Sequence, residues 1–202
     1  MKRCIVVGKP NVGKTLLVLS LAEYLKVKTI EITFQDPDGT KYSKTYAIGT
    51  ALGELVGPRP HETRCLQSMV LQLPAGKGKK VVGFIDTTGL TEYIHQDASI
   101  RKAMAQTLAA IRPAQLVIHV VDASEVGRED ASLAAGDLDR QLAAFAGSRG
   151  GYCIVANKMD LPDAKRGLAR LRRMFAGYTI FPVSAVARTG FREVKRHVVR
   201  NL

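Results

Sequence analysis

The sequence of 202 residues lacks tryptophan and has only three cysteines. Cys4, Cys65 and Cys153 form no CxxC pair, which excludes a disulfide scaffold and argues against a zinc site. No apolar run approaches the roughly 18–20 residues of a membrane-spanning helix. The first residues lead directly into a strand pattern rather than a signal peptide. We therefore predict a reducing, cytoplasmic setting without integral membrane association.

Acidic residues are also scarce, with 18 Asp and Glu against 30 Lys and Arg, for a formal net charge of +12. Ten of the basic residues and only two acids fall between residues 163 and 202. Two sets of three recur at helical spacing, namely Arg166, Arg170 and Arg173, and then Arg192, Lys195 and Arg196. Such stripes suit an RNA partner, although solubility alone would also explain them.

Short apolar strands alternate with longer helical patterns along the whole chain, which is typical of an α/β fold. We predict a single domain over residues 1–202. Its sheet is mainly parallel with one antiparallel edge strand, and helices cover both faces.

Individual segments carry weaker predictions. Residues 49–60 are rich in Gly and Pro and favour a loop with at most one helical turn. Residues 129–145 favour one helix, and residues 178–184 favour a strand. The apolar stripe of the last helix, formed by Phe191, Val194 and Val198, fits packing on the sheet; contact with a membrane surface is a second interpretation.

The segment Gly8–Thr15 reads GKPNVGKT and fits the pattern G-x4-G-K-[ST]. In this pattern backbone N–H groups surround phosphate oxygens, and the following helix directs its positive dipole toward them. Lys14 would reach the β- and γ-phosphates, and the Thr15 hydroxyl would ligate Mg²⁺. The predicted nucleotide-binding residues of this loop are Gly8, Asn11, Val12, Gly13, Lys14, Thr15 and Leu16.

Two further segments supply candidate phosphate and magnesium contacts. Asp86 ends a predicted strand and opens the pattern D-x-x-G, so its carboxylate would hold Mg²⁺ through water. The Gly89 N–H would donate to the γ-phosphate. Thr63 is the candidate for the remaining Mg²⁺ ligand, with Thr45 and Thr50 also in range.

The segment Asn157–Asp160 reads NKMD and follows another predicted strand. A carboxylate at Asp160 would accept the two donors at N1 and the 2-amino group of guanine, which adenine does not offer. Asn157 would bond the base and neighbouring loops, and the stem of Lys158 would cover the ring. Ser184 and Ala185 end the next strand, where a backbone N–H would reach the guanine O6.

Together, five ordered elements resemble the guanine-nucleotide-binding domain of the translation-factor-like GTPases: GKPNVGKT, the threonine Thr63, DTTG, NKMD and SA. The closest likeness is to the bacterial Era-like branch, which includes the TrmE/MnmE, Der and EngB proteins. The resemblance implies GTP and GDP binding with Mg²⁺ and hydrolysis of GTP. It assigns the catalytic roles to Lys14, Thr63 and Gly89.

The departures from related GTPases bear on mechanism. Leu90 stands where Ras-like GTPases carry the glutamine that orients the attacking water, so slow basal turnover is expected. Glu92, His95 and Gln96 follow and are candidate substitutes. The resemblance also implies that Asn11 helps to bind K⁺ beside the phosphates, as in potassium-activated members of the branch.

The spacing between Thr15 and Thr63 is wider than the branch leads us to expect, and the excess maps to residues 28–55. This segment contains a hairpin signal at Asp36–Gly39. It is either a partner surface beside the switch or an extension of the sheet edge. Two roles therefore remain: a switch associated with ribosomal RNA or a ribosomal subunit, or a regulatory module that binds a protein partner, or a second copy, through the switch regions and this insertion.

Overall fold

The computed structural model describes residues 1–56, 65–91, 98–128, 136–147 and 151–202. In this part of the chain, eight strands form one sheet. They are β1 (Lys2–Val7), β2 (Thr29–Gln35), β3 (Lys41–Ala47), β4 (Leu66–Ala75), β5 (Gly78–Asp86), β6 (Leu116–Asp122), β7 (Tyr152–Asn157) and β8 (Ile180–Pro182).

The strand order is β3-β2-β4-β5-β1-β6-β7-β8. The pairings from β5 to β8 are parallel, whereas β2, β3 and β4 pair antiparallel at the other end of the sheet. The four residues Cys4–Val7 have no exposed surface, as expected for a central strand with helices on both sides. The predicted fold class is confirmed.

Seven helices lie in the described part. They are α1 (Lys14–Tyr24), α2 (Ile48–Leu55), α3 (Ala98–Ile111), α4 (Ala123–Gly127), α5 (Asp137–Gly147), α6 (Ala164–Met174) and α7 (Phe191–Asn201). Apolar residues of α1, α2 and α7 form one core cluster with the sheet, and those of α3, α4, α5 and α6 form a second. The apolar stripe of α7 is buried in the first cluster, which confirms its predicted packing on the sheet. This apolar face is therefore not available for contact with a membrane surface.

One segment differs from its sequence prediction because tertiary packing outweighs local propensity. Residues 49–60 predict a loop with at most one helical turn, yet α2 spans Ile48–Leu55 because Ile48 and Ala51 are buried against the core. Residues 57–60 lie outside the described part. Of the predicted helix over residues 129–145, residues 129–135 lie outside the described part, and the described helix α5 begins only at Asp137. A short helix that the sequence analysis missed, α4, precedes them. The side chain of Asp122 accepts hydrogen bonds from the N–H groups of Ser124 and Glu125 and so starts the separate helix α4.

The predicted strand over residues 178–184 is shorter than expected, since β8 pairs only through Ile180–Pro182. Beyond it, Ser184 and Thr189 exchange backbone hydrogen bonds and form an isolated bridge. Residues 183–185 are thereby held at the end of the sheet, next to β7.

The segment 28–55 forms the hairpin β2–β3 followed by α2. Its strand β2 pairs antiparallel with β4, so the hairpin extends the sheet edge. Ile30, Ile32 and Phe34 face the core, whereas Glu31 faces solvent, as the alternation predicts. Among the described residues, no helix is both long and apolar enough to cross a bilayer.

Candidate nucleotide-binding site

The site lies at the carboxyl ends of β1, β5 and β7, where the loop from β1 to α1 crosses the sheet. This is the edge at which open α/β sheets bind ligands. Gly8 opens the loop with φ 145°, and a Cβ placed there would lie 2.3 Å from the backbone oxygen of Val120. Glycine is therefore required for the loop to pass this close to β6.

Lys14, Thr15 and Asp86 form a buried cluster at the base of the loop. The Thr15 hydroxyl donates to Asp86 Oδ2 over 2.6 Å, and Lys14 Nζ donates to the carbonyl oxygen of Lys9 over 2.8 Å. Burial lowers the pKa of Lys14 to about 8, an effect that the nearby Asp86 only partly offsets. Burial also raises the pKa of Asp86 to about 6, against the opposing effects of the Thr15 hydrogen bond and Lys14.

The same cluster fits a magnesium ion. Asp86 Oδ1 is buried and has no hydrogen-bond partner among the described residues, which is a costly arrangement for a carboxylate oxygen. A hydroxyl and a carboxylate are ligands that suit Mg²⁺, which keeps several of its waters in proteins. Thr15 would hold the ion directly, and Asp86 would hold it through water.

The loop after β5 contacts the phosphate loop closely. A Cβ on Gly89 would lie 2.6 Å from three atoms of Pro10, so this position has no room for a side chain. The Leu90 N–H donates to the Gly8 carbonyl over 3.1 Å, and the Leu90 side chain is buried in the second core cluster. Leu90 therefore packs the loop in place, and its side chain has no polar group to orient a water.

Two threonines of this loop have anchoring roles that the sequence analysis missed. The Thr87 hydroxyl donates to the Val6 carbonyl in β1 over 2.8 Å. The hydroxyls of Thr88 and Thr107 are 3.0 Å apart, and this buried contact ties the loop to α3. In the pattern D-x-x-G only the first and last positions have a defined chemical role, so the sequence does not mark the two threonines between them.

At the other end of the site, Asn157 joins three segments. Its Nδ2 donates to the Val12 carbonyl over 2.8 Å, and its Oδ1 accepts from the Ala185 N–H over 3.1 Å. Gly13 lies so close that an added Cβ would be 2.5 Å from the Asn157 amide. The Ala185 N–H, predicted to meet a guanine oxygen, is thus bonded to Asn157 in this structure.

The residues after Asn157 follow the end of β7 and differ in burial, with Lys158 half-buried. Asp160 is exposed, and its Oδ1 accepts from the Ser184 hydroxyl over 2.5 Å. Lys158 has φ 63° and forms an ion pair with Asp122, with 2.6 Å between Nζ and Oδ2. The structure therefore brings Asn157, Lys158, Asp160, Ser184 and Ala185 together, as the sequence predicted.

A buried polar chain beside the phosphate loop was not predicted. Lys9 Nζ lies 3.3 Å from Asp139 Oδ2, and His119 Nε2 lies 2.9 Å from Asp139 Oδ1. The other ring nitrogen of His119 is 2.7 Å from the Tyr152 hydroxyl. These residues come from four separate segments, so no local sequence pattern would have joined them.

The basic stripe of α6 is partly structural, which corrects its interpretation as an RNA-facing stripe. Arg166 Nε donates to the Gly127 carbonyl, and Arg170 donates to the carbonyls of Val126 and Arg128 over 2.8 and 2.6 Å. These carbonyls end α4, so the two arginines satisfy groups that a helix end leaves unpaired.

The remaining predicted residues divide between the described part and the rest. Asn11 is exposed with φ 59°, and Leu16 is half-buried in α1. Thr63 lies outside the described residues, as do Glu92, His95 and Gln96. Cys65 is buried, and burial raises the pKa of its thiol to about 11, so little thiolate forms at neutral pH.

Residues 3–158 match the family model described as 50S ribosome-binding GTPase. The chain is 27% identical over 191 residues to the GTPase Obg of Desulfatibacillum aliphaticivorans, covering 94% of this chain and 47% of that protein. It thus spans less than half the length of this relative.

Two solved structures show the same fold. One is Era in complex with MgGDPNP and nucleotides 1506–1542 of 16S ribosomal RNA, with a TM-score of 0.67, 20% identity, and coverage of 100% of this chain and 56% of that chain. The other is the G domain of the T. maritima FeoB iron transporter, with a TM-score of 0.59, 19% identity, and coverage of 100% and 98%. At these identities the likeness concerns the fold alone.

Proposed function

The chain belongs to the 50S ribosome-binding GTPase family, and we propose that it binds GTP and GDP with Mg²⁺ and hydrolyses GTP as a nucleotide-dependent switch. The observation that carries this proposal is the buried cluster of Lys14, Thr15 and Asp86. It places an ammonium group, a hydroxyl and an unpartnered carboxylate oxygen beneath a glycine-containing phosphate loop.

Each part of the site has a role in the proposed reaction. Backbone N–H groups of the phosphate loop and the start of α1 bind the phosphates, and Lys14 leaves the Lys9 carbonyl to contact the β- and γ-phosphates. The Gly89 N–H orients the γ-phosphate. A bound Mg²⁺ would neutralise charge on the phosphate oxygens. Water attacks the γ-phosphorus in line with the leaving oxygen of GDP, and Thr63 is the proposed residue that senses the γ-phosphate.

Guanine selectivity provides the direct test. Asp160 is exposed beside Ser184, where its carboxylate can accept both donors of a guanine edge. We expect the wild-type protein to prefer GTP over ATP, and Asp160→Asn to lose about 1–3 kcal/mol of that preference. Asp163→Asn is the matched control, because that exposed carboxylate pairs with Arg166 instead. Unchanged selectivity in Asp160→Asn would overturn the assignment of the base pocket.

Slow basal turnover and stimulation by K⁺ are parts of the same proposal. Leu90 supplies no polar group, so another charge must stabilise the transition state. Asn11 is exposed on the phosphate loop and offers a carbonyl oxygen for a cation. We expect faster GTP hydrolysis in KCl than in NaCl, and a smaller difference in Asn11→Gly, which keeps the positive φ. Equal rates of GTP hydrolysis in KCl and NaCl would contradict the proposed stimulation by K⁺.

We further propose that the protein acts in the cytoplasm and associates with a ribosomal subunit or ribosomal RNA. The family description, the net charge of +12 and the rRNA-bound Era neighbour support this role. The test is sedimentation of the protein with ribosomal subunits, once with a non-hydrolysable GTP analogue and once with GDP. Co-migration with one subunit in the analogue alone is the expected result, and no co-migration in either state would contradict it.

A second candidate role, a regulatory switch for a protein partner, is favoured by one observation. A groove of about 730 Å³ lies between α3 and the face of β2, β4 and β5 that carries Ser68 and Val70. A second copy of the chain is the first partner to test, by sedimentation velocity with the GTP analogue. Val70→Glu should abolish this self-association, whereas Val81→Glu, equally exposed but outside the groove lining, should not.

A further inference from the structure

Residues 74–80 around the β4–β5 turn and residues 191–199 of α7 lie side by side and are rich in Lys and Arg, and we call this surface the basic cradle. A cavity of about 260 Å³ lies between the turn residues Pro74–Gly76 and Arg192, Lys195 and Arg196 of α7. Lys77 and Lys79 extend the turn, and Lys80 Nζ donates to the Val199 carbonyl over 2.8 Å. The two elements are therefore joined, and Arg192, Lys195 and Arg196 line the cavity between them.

The charge of the basic cradle is not compensated within the described part of the chain. Residues 76–80 and 191–199 contain six Lys and Arg residues and one acid, Glu193. Among the described residues no carboxylate lies within ion-pair distance of Arg192, Lys195 or Arg196. In contrast, Arg166, Arg188 and Lys44 each pair with a nearby carboxylate. An external anion would therefore gain from these charges without displacing an internal partner.

The chemistry of the surface selects among anionic partners. No large apolar side chain of residues 74–80 or 191–202 is exposed, because Phe191, Val194 and Val198 are buried in the core. A membrane-binding helix needs an apolar face to insert, and a protein interface usually has an apolar centre. Without an exposed aromatic ring, single-stranded bases would also lack a stacking platform. The charged groups of this surface are six cations and one carboxylate, which suits a phosphate backbone.

We propose that the basic cradle binds the phosphate backbone of a folded RNA. This inference rests on the proposed RNA association and names the surface responsible. Strand β5 runs from Gly78 beside the cradle to Asp86 in the nucleotide site. Nine residues of extended chain separate these ends by roughly 25–30 Å. Substitutions in the cradle should therefore change RNA binding without changing nucleotide binding.

The test uses a fluorescein-labelled RNA hairpin with a double-helical stem and a triple variant, Arg192→Gln, Lys195→Gln and Arg196→Gln. The matched control, Lys165→Gln, Arg172→Gln and Arg173→Gln, removes the same charge from exposed positions of α6. We expect the cradle variant to bind at least about tenfold more weakly. Its plot of log K against log salt should be shallower by about two to three units. The control should change each value by less than half as much.

Three outcomes would overturn the proposal. The first is an equal loss of RNA affinity in the two variants, and the second is that the wild type binds no RNA. The third is that the wild type binds anionic lipid vesicles and that only the cradle variant loses this binding. GDP affinity is measured on all three proteins, so that the two proposals fail separately. Intact GDP binding with equal RNA losses refutes the cradle alone. If the wild type binds no guanine nucleotide but binds RNA through the cradle, the proposed GTPase is refuted and the proposed RNA surface is supported.

Discussion

At the scale of single residues, burial pushes both charged members of the phosphate site toward their neutral forms. Lys14 has a pKa lowered to about 8 and Asp86 has a pKa raised to about 6, in each case chiefly because of desolvation. Neither shift favours the charged form in the free protein. A bound phosphate would stabilise the charged form of Lys14, and a bound cation would stabilise the charged form of Asp86.

The first prediction follows from the sign of the Lys14 shift. At pH 8 about half of the Lys14 side chains in the free protein lack a proton, and nucleotide phosphates should raise the pKa again. Binding of GDP should therefore take up about half a proton at pH 8, where Asp86 is already ionised. Calorimetry in two buffers with different ionisation enthalpies measures this uptake. At pH 7 the uptake should approach zero, and the absence of uptake at pH 8 would contradict the prediction.

A second prediction concerns Asp139, which joins Lys9 of the phosphate loop to His119 in the core. Asp139→Asn keeps the shape of the side chain but removes the charge that faces Lys9. We expect the free energy of unfolding to fall by about 1–3 kcal/mol and GDP binding to weaken, because the loop loses an anchor. Denaturant unfolding and nucleotide titration measure the two effects.

Asp137→Asn is the control for that substitution, since Asp137 begins the same helix but is exposed. Its effect on unfolding should stay within about 0.5 kcal/mol. If Asp139→Asn lowers stability but leaves GDP affinity unchanged, then Asp139 supports the fold and does not position the loop.

At the scale of elements, α4 and α6 pack through glycines. A Cβ on Gly167 would lie 1.8 Å from the Ala123 carbonyl oxygen, and one on Gly127 would lie 2.0 Å from that of Asp163. The two helices thus approach backbone to backbone, and Arg166 and Arg170 then reach the end of α4. This packing supports the nucleotide site, because the N-terminal residue of α4 follows Asp122, the partner of Lys158.

The third prediction is that alanine, usually more favourable than glycine inside a helix, is less favourable at this contact. Gly167→Ala should destabilise the protein by about 1–3 kcal/mol or more, because the methyl group has no space. Gly53→Ala in α2 should instead stabilise it by about 0.4–1 kcal/mol, since open space surrounds that position. Denaturant unfolding of both variants measures the difference. A stabilising Gly167→Ala would show that α4 moves away from α6 at little cost.

At the scale of the whole molecule, the sequence predicted those features whose signal is local. The phosphate loop, β2 with its alternation, and the burial of the α7 stripe all follow from patterns within about ten residues. The sequence did not predict α2, because its two glycines favour a loop, whereas burial of Ile48 and Ala51 in the core stabilises the helix. It also could not show that Arg166 and Arg170 bind carbonyls of α4, because that contact joins segments about 40 residues apart.

The same limit applies to the candidate site. Residue types and spacing predict which groups would touch the nucleotide, since the motif fixes their chemistry. The groups that hold them, such as Asp139, Thr88 and Thr107, are ordinary polar residues in the sequence. Only the fold brings them together, and the branch of the family and the role of residues 28–55 remain predictions.

The last prediction treats nucleotide binding as a property of the whole fold. A ligand that binds only the native state stabilises it by RT ln(1 + [L]/Kd), which is about 2.7 kcal/mol at a concentration one hundred times Kd. GDP with Mg²⁺ should raise the free energy of unfolding by about this amount, measured by denaturant unfolding. ATP at the same concentration should raise it by clearly less, because adenine does not offer Asp160 the two donors of guanine. Chelation of Mg²⁺ should remove part of the gain, since Asp86 Oδ1 then loses its proposed water-mediated partner. Equal stabilisation by ATP and GDP would contradict the guanine assignment. If chelation of Mg²⁺ leaves the stabilisation by GDP unchanged, the magnesium site is contradicted, whereas the base pocket is not.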